Sequence, residues 1–205
     1  MSSAKIVVVD YKMGNLNSIV KMLTKLRAEV VVTNVPDDIL HASKIILPGV
    51  GHFGLAVYQL RQMNLWDNIN KAVLEQGIPI LGICLGMQLM ARFSEEGNAE
   101  GFGWFNATVK RFDTMQGLKV PHMGWNTIEL MGESNLLTSE LNQKEFYFAH
   151  SYHWDTTEPN DVKAITQYGY SFASAVEKDH IFGVQFHPEK SHEWGKLIFS
   201  NFLQL

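Results

Sequence analysis

What this chain lacks narrows it first. It has a single cysteine in 205 residues, so no internal disulfide can form. There is no run of Lys or Arg, and the formal net charge is −4, which argues against nucleic acid as a partner. No apolar stretch reaches the roughly 18 residues that read as a membrane helix, and no signal-peptide core is present. Linkers, repeats and low-complexity segments are missing too. A cytoplasmic protein forming one domain over residues 1–205 is the expectation, with neither a metal nor a cofactor. The 46% hydrophobic and 19% charged content is enough to bury a sizeable core.

What is present has a clear rhythm in the first half. Residues 5–10, 29–33, 44–47 and 78–83 are short apolar runs without alternation, the pattern of strands covered on both faces. Leu16, Ile19, Val20, Leu23 and Leu26 recur at helical spacing between the first two, and helical stretches are predicted over 55–63 and 65–75. Strands alternating with helices imply right-handed crossovers and a mainly parallel sheet. From residue 103 onward, runs at 104–109, 126–130, 145–149 and 172–176 separated by turn-rich pieces predict mixed or antiparallel strands. A closing helix is predicted from about Ser191, with its hydroxyl as the N-cap and Trp194, Leu197, Ile198, Phe202 and Leu205 on its apolar face. The fold class expected is therefore α/β, a mainly parallel central sheet with helices on both faces and added mixed strands in the second half.

The lone cysteine sits in Gly82-Ile83-Cys84-Leu85-Gly86, after a predicted strand and before a helix-like stretch over 87–93. Strand, sharp turn, helix is the layout of a nucleophile elbow, and glycines on either side leave room for the turn. A lone cysteine is most often a small buried apolar residue, so the reading needs a base and an orienting acid elsewhere. His187 follows the apolar run at 181–186, and Pro188 biases it toward an extended backbone. Its imidazole can then project from a strand tip while Glu189 folds back to fix one ring nitrogen. Pro48-Gly49-Val50-Gly51 follows the third strand and reads either as a plain strand-to-helix loop or, with the N–H of Leu85, as the source of backbone donors for an oxyanion. No Gly-Lys-Ser/Thr follows it, so a phosphate-binding P-loop is excluded.

Taken together, Gly82 to Gln88 and His187-Pro188-Glu189-Lys190-Ser191 resemble the class I (triad) glutamine amidotransferases, whose fold is flavodoxin-like. The blocks at 48–54, 120–126 and 146–152 narrow the likeness to the HisH glutaminase subunits of imidazole glycerol phosphate synthase, over essentially the whole chain. The resemblance implies a Cys84–His187–Glu189 triad that hydrolyses glutamine to glutamate and releases ammonia. It further implies glutamine recognition by Gln88, Glu96 and the backbone near Ser151 and Tyr152. Ammonia protonates in bulk water, so a docked synthase is expected, a HisF-type (β/α)₈ cyclase forming a heterodimer. Tyr11, Asn15, Met123, Trp125 and Lys190 carry over as interface positions. Two departures stand out. Lys12 occupies the place of a family glycine, and the ending around 192–202 is similar to a branch that feeds ammonia to a sugar-modifying synthase in surface-polysaccharide biosynthesis. The acceptor is therefore open at the level of sequence, between the histidine pathway and such a sugar. A cysteine peptidase or γ-glutamyl hydrolase, and an inactive scaffold, are the readings from other classes.

Overall fold

The computed structural model describes residues 5–114 and 117–205. Elements alternate through the first half: β1 (Lys5–Val9), α1 (Leu16–Lys25), β2 (Glu29–Thr33), α2 (Pro36–Leu40), β3 (Lys44–Gly49), α3 (Phe53–Gln62), α4 (Trp66–Asn70, continued by a π-helical turn), β4 (Ile80–Cys84) and α5 (Leu85–Gln88). Strands then dominate: β5 (Ala91–Ser94), β6 (Ala99–Glu100), β7 (Phe105–Arg111), β8 (His122–Thr127), β9 (Glu129–Leu130), β10 (Glu145–His150), β11 (Tyr152–Thr156), β12 (Val162–Tyr168), β13 (Tyr170–Lys178) and β14 (Ile181–Val184). Helix α6 (His192–Gln204) closes the chain.

The main sheet runs β2-β1-β3-β4-β14-β13-β11-β7-β5-β6, with β12 and β9 attached through β13. Pairing is parallel from β2 through β14 and antiparallel from β14 to β13 and from β11 to β7. Strands β8 and β10 form a separate antiparallel pair. Because side chains alternate across a strand, Val7, Val9, Ile45 and Leu47 pack one way, against α2, α3 and α4. Ile6, Val8, Ile46, Leu81 and Ile83 pack the other way, against α1 and α6. Runs buried on both faces are what helices on both sides require.

Several expected boundaries move. The helix expected over 87–93 is one turn, Leu85–Gln88. The chain then turns into β5, because Ala91–Ser94 pairs alongside β7, and sheet hydrogen bonds outweigh four residues of modest helix propensity. Ser191 does not cap α6 through its side chain. Its hydroxyl donates to the His187 carbonyl (2.7 Å) and accepts from the Tyr147 N–H (3.1 Å) instead. Leu205 is exposed, and Gly195 and Phe199 are buried on the helix face in its place. The strand expected at 126–130 begins earlier, at His122, and breaks at Ile128. Lys12 lies at φ 66°, the left-handed region that glycine enters without penalty and that a residue with a side chain meets under strain.

Candidate active site

Strands β3, β4 and β14 are neighbours, and their carboxyl ends carry Gly49, Cys84 and, three residues beyond β14, His187. In an open α/β sheet that edge is where ligands gather. Cys84 is buried, with φ 54° and ψ −109°, a conformation that a residue bearing a side chain rarely adopts. The turn is that tight because nothing larger than glycine fits around it. A Cβ on Gly86 would stand 1.8 Å from the Leu47 carbonyl oxygen, and one on Gly82 would stand 2.7 Å from the Gly86 backbone. The strain is thus held in place by close packing of β3, β4 and α5.

His187 is extended, as Pro188 requires, and its N–H donates to the Tyr147 carbonyl (2.8 Å). Its Nδ1 lies 2.9 Å from Glu189 Oε1, both side chains being nearly inaccessible. Nε2 is buried and makes no hydrogen bond to another nitrogen or oxygen among the described residues. Burial opposes a charge on the ring, but the negative charge of an ionised Cys84 sulfur and then the Glu189 carboxylate outweigh it, raising His187 to about 10. The imidazole is therefore close enough to Cys84 to sense its charge.

A cavity of about 330 Å³ opens beside the sulfur, lined by Val50, Gly51, Cys84, Leu85, Gln88, Glu96, Met123, His150, Ser151 and Tyr152 among others. All four residues expected to recognise substrate line it. Gln88 is buried one turn beyond Cys84, and its Nε2 donates to the Tyr152 carbonyl (3.0 Å). Glu96 Oε2 accepts the Phe53 N–H (2.8 Å) at the start of α3. Of the oxyanion candidates, Leu85 begins α5, where N–H groups have no partner inside the helix. Val50 differs, since its N–H donates to the Met13 carbonyl (3.3 Å). Gly49 is the end of β3, in register with Cys84.

The interface candidates divide. Met123 and Trp125 are 65% and 45% exposed on β8, so they belong to a surface rather than the core. Asn15 and Lys190 are exposed as well. Tyr11 is a correction: it is 1% exposed and cannot meet a partner. Its ring lies under Gly49, where a Cβ would come 2.3 Å from the hydroxyl, and burial followed by the charge of Cys84 pushes its pKa well up.

Two residues escaped the sequence reading. Gln185 is fully buried, with Nε2 3.5 Å from Cys84 Sγ and Oε1 3.0 Å from Gln88 Nε2. A polar residue inside the apolar run at 181–186, two before His187, was the available signal. His150 lines the cavity, donates from Nδ1 to the Tyr152 carbonyl (2.7 Å) and pairs through Nε2 with His122 Nδ1 (3.0 Å). Burial lowers His150 to about 3 and His122 to about 4, so both rings are neutral at pH 7.

The family model described as glutamine amidotransferase class-I matches residues 7–205. The chain belongs to that family. Its similarity to proteins named imidazole glycerol phosphate synthase subunit HisH 2 extends over nearly the full length of this amidotransferase. The one from Methanococcus maripaludis is 42% identical over 199 residues, covering 97% of this chain and 98% of its own. The one from Pseudomonas aeruginosa is 41% identical over 200 residues, covering 98% and 99%. Among solved structures, PurLQS from Thermotoga maritima has a TM-score of 0.75 at 19% identity, covering 98% of this chain and 98% of that one. A glutamine amidotransferase from the same organism has a TM-score of 0.63 at 15% identity, covering 100% of this chain and 84% of that one. At such identities the two structures show the amidotransferase fold alone.

Proposed function

We propose that this amidotransferase, a single domain over residues 1–205, is the glutaminase subunit of an imidazole glycerol phosphate synthase. It hydrolyses L-glutamine and passes ammonia to a HisF-type (β/α)₈ cyclase. The observation that carries the reading is the strained Cys84 turn beside the His187–Glu189 pair on an adjacent strand, opening on a cavity of about 330 Å³. The names of the relatives favour this acceptor over a sugar-modifying synthase.

In the proposed reaction, Cys84 Sγ gives its proton to His187 Nε2 and attacks the side-chain amide carbon of glutamine. Glu189 holds Nδ1, so the ring keeps one tautomer and its positive charge is compensated. His187 then protonates the departing nitrogen, ammonia leaves, and a water deprotonated by the same ring cleaves the γ-glutamyl thioester. The Leu85 N–H is one donor to the oxyanion. The Val50 N–H is the other, once it leaves the Met13 carbonyl, so the resting geometry supports a shut-off state. Releasing that bond costs about 1 kcal/mol, less than the roughly 3 kcal/mol an oxyanion donor returns. The charge on the transition state, or a docked partner, can therefore drive it.

Met123 supports the coupled arrangement because it is exposed and lines the cavity, so a protein seated on Met123 and Trp125 roofs the site. Asn15 and Lys190 extend that docking face. The direct test is glutamine hydrolysis by the chain alone and with a HisF-type cyclase and its nucleotide ligand. Activation by the cyclase is expected. Brisk activity alone, indifferent to any synthase, refutes the coupled reading and favours an independent γ-glutamyl hydrolase.

A further inference from the structure

We propose that Gln185 positions and polarises the Cys84 sulfur, as the middle member of a buried relay that begins at a backbone carbonyl. The Tyr152 carbonyl can only accept, so the Gln88 atom 3.0 Å from it must be the amide nitrogen. That nitrogen also lies 3.0 Å from one terminal atom of Gln185, which must then be the oxygen. The other terminal atom, 3.5 Å from Cys84 Sγ, is therefore Nε2, and the sulfur receives an N–H rather than a lone pair. The orientation of two amides is thus fixed by a single carbonyl, with both side chains out of solvent.

The consequence is chemical. A hydrogen bond to an ionised acceptor is stronger than one to a neutral acceptor, so the Gln185 amide favours the thiolate over the thiol. It also bears on the sulfur from the residue that follows β14, two before His187, so the acceptor of the thiol proton and the donor to the sulfur are built into one segment. With the helix after Cys84 only one turn long, little of a helix dipole is available for that task. Gln88 is tied into the same relay, so filling the cavity beside it bears on the hold on the nucleophile. The proposal takes its catalytic meaning from the glutaminase reading, but its test does not need glutamine.

Because Cys84 is the only cysteine, the loss of free thiol under iodoacetamide, titrated after unfolding with a thiol-specific disulfide reagent, reports on this sulfur alone. The full chain and its Gln185→Glu and Gln185→Leu variants are alkylated at about pH 7 and about pH 10. At about pH 7 alkylation should slow about tenfold in Gln185→Leu and by at least as much in Gln185→Glu, where a carboxylate faces the sulfur. At about pH 10, above the ordinary range for a cysteine thiol, the gap between wild type and Gln185→Leu should narrow to about twofold. A residue that merely filled space would leave the pH 7 rate unchanged or raise it by loosening the site, and either result overturns the proposal. Should both variants fail to fold, Gln88→Leu, which unties the Gln185 amide, carries the same test with the same sign. Loss of glutamine hydrolysis in wild type with alkylation behaving as described would sink the glutaminase reading alone.

Discussion

The backbone of Cys84 can be tested apart from its sulfur by comparing Cys84→Gly with Cys84→Ala. Both variants delete the thiol, with its contacts to Gln185 and the Ala149 carbonyl, so those losses cancel. What differs is whether a Cβ must sit at φ 54°, ψ −109°. A residue with a side chain held in so sparse a region costs about 1–3 kcal/mol. Against this, glycine is ordinarily less favourable than alanine by about 0.4–1 kcal/mol, through the freedom it gives the unfolded chain. Taking the middle of both ranges, the balance leaves Cys84→Gly more stable than Cys84→Ala by about 1 kcal/mol, the reverse of the usual order. For a chain of this size each 1 kcal/mol moves Tm by about 2–4 °C. Scanning calorimetry and urea unfolding measure the difference directly, while glutamine turnover should be lost in both. If Cys84→Ala proves equal to or more stable than Cys84→Gly, the turn is not strained and the elbow argument fails.

Other predictions follow from buried polar groups and the backbone. His150 and His122 stay neutral down to about 3 and about 4, against roughly 6.5 when unfolded, so the unfolded chain binds more protons and stability falls as pH drops below 6.5. The loss should reach on the order of 2–4 kcal/mol between pH 6.5 and 5, and a flat urea-unfolding free energy over that window contradicts it. Tyr11 buries a hydroxyl with no hydrogen-bond partner among the described residues, a cost of about 1–3 kcal/mol, so Tyr11→Phe should raise Tm. A lower Tm would show that the hydroxyl is satisfied. Lys12→Gly removes a left-handed side-chain residue worth about 1–2 kcal/mol of strain and should be neutral to stabilising by about 1 kcal/mol in the same assay. Clear destabilisation there means that Lys12 makes contacts outweighing its backbone.

Much of the site was legible because its chemistry is tied to local rules. Gly82 and Gly86 bracket a turn that no larger residue survives, and Pro188 fixes the backbone from which His187 projects, two residues from a carboxylate. Apolar runs without alternation told of strands buried on both faces, and their alternation with helices told of parallel crossovers. Those features depend on neighbours in sequence, so they can be read along the chain. The rest depends on partners far apart in it and is settled only when the strands and helices pack. Helix α5 stops after one turn because β7 waits to pair with the residues that follow, Tyr11 is buried because Gly49 lies over it, and Gln185 reaches the sulfur because β14 inserts beside β4. Hydrogen bonds across about a hundred residues leave no period and no spacing in a linear chain, so a buried glutamine there reads as an anomaly until the strands are side by side.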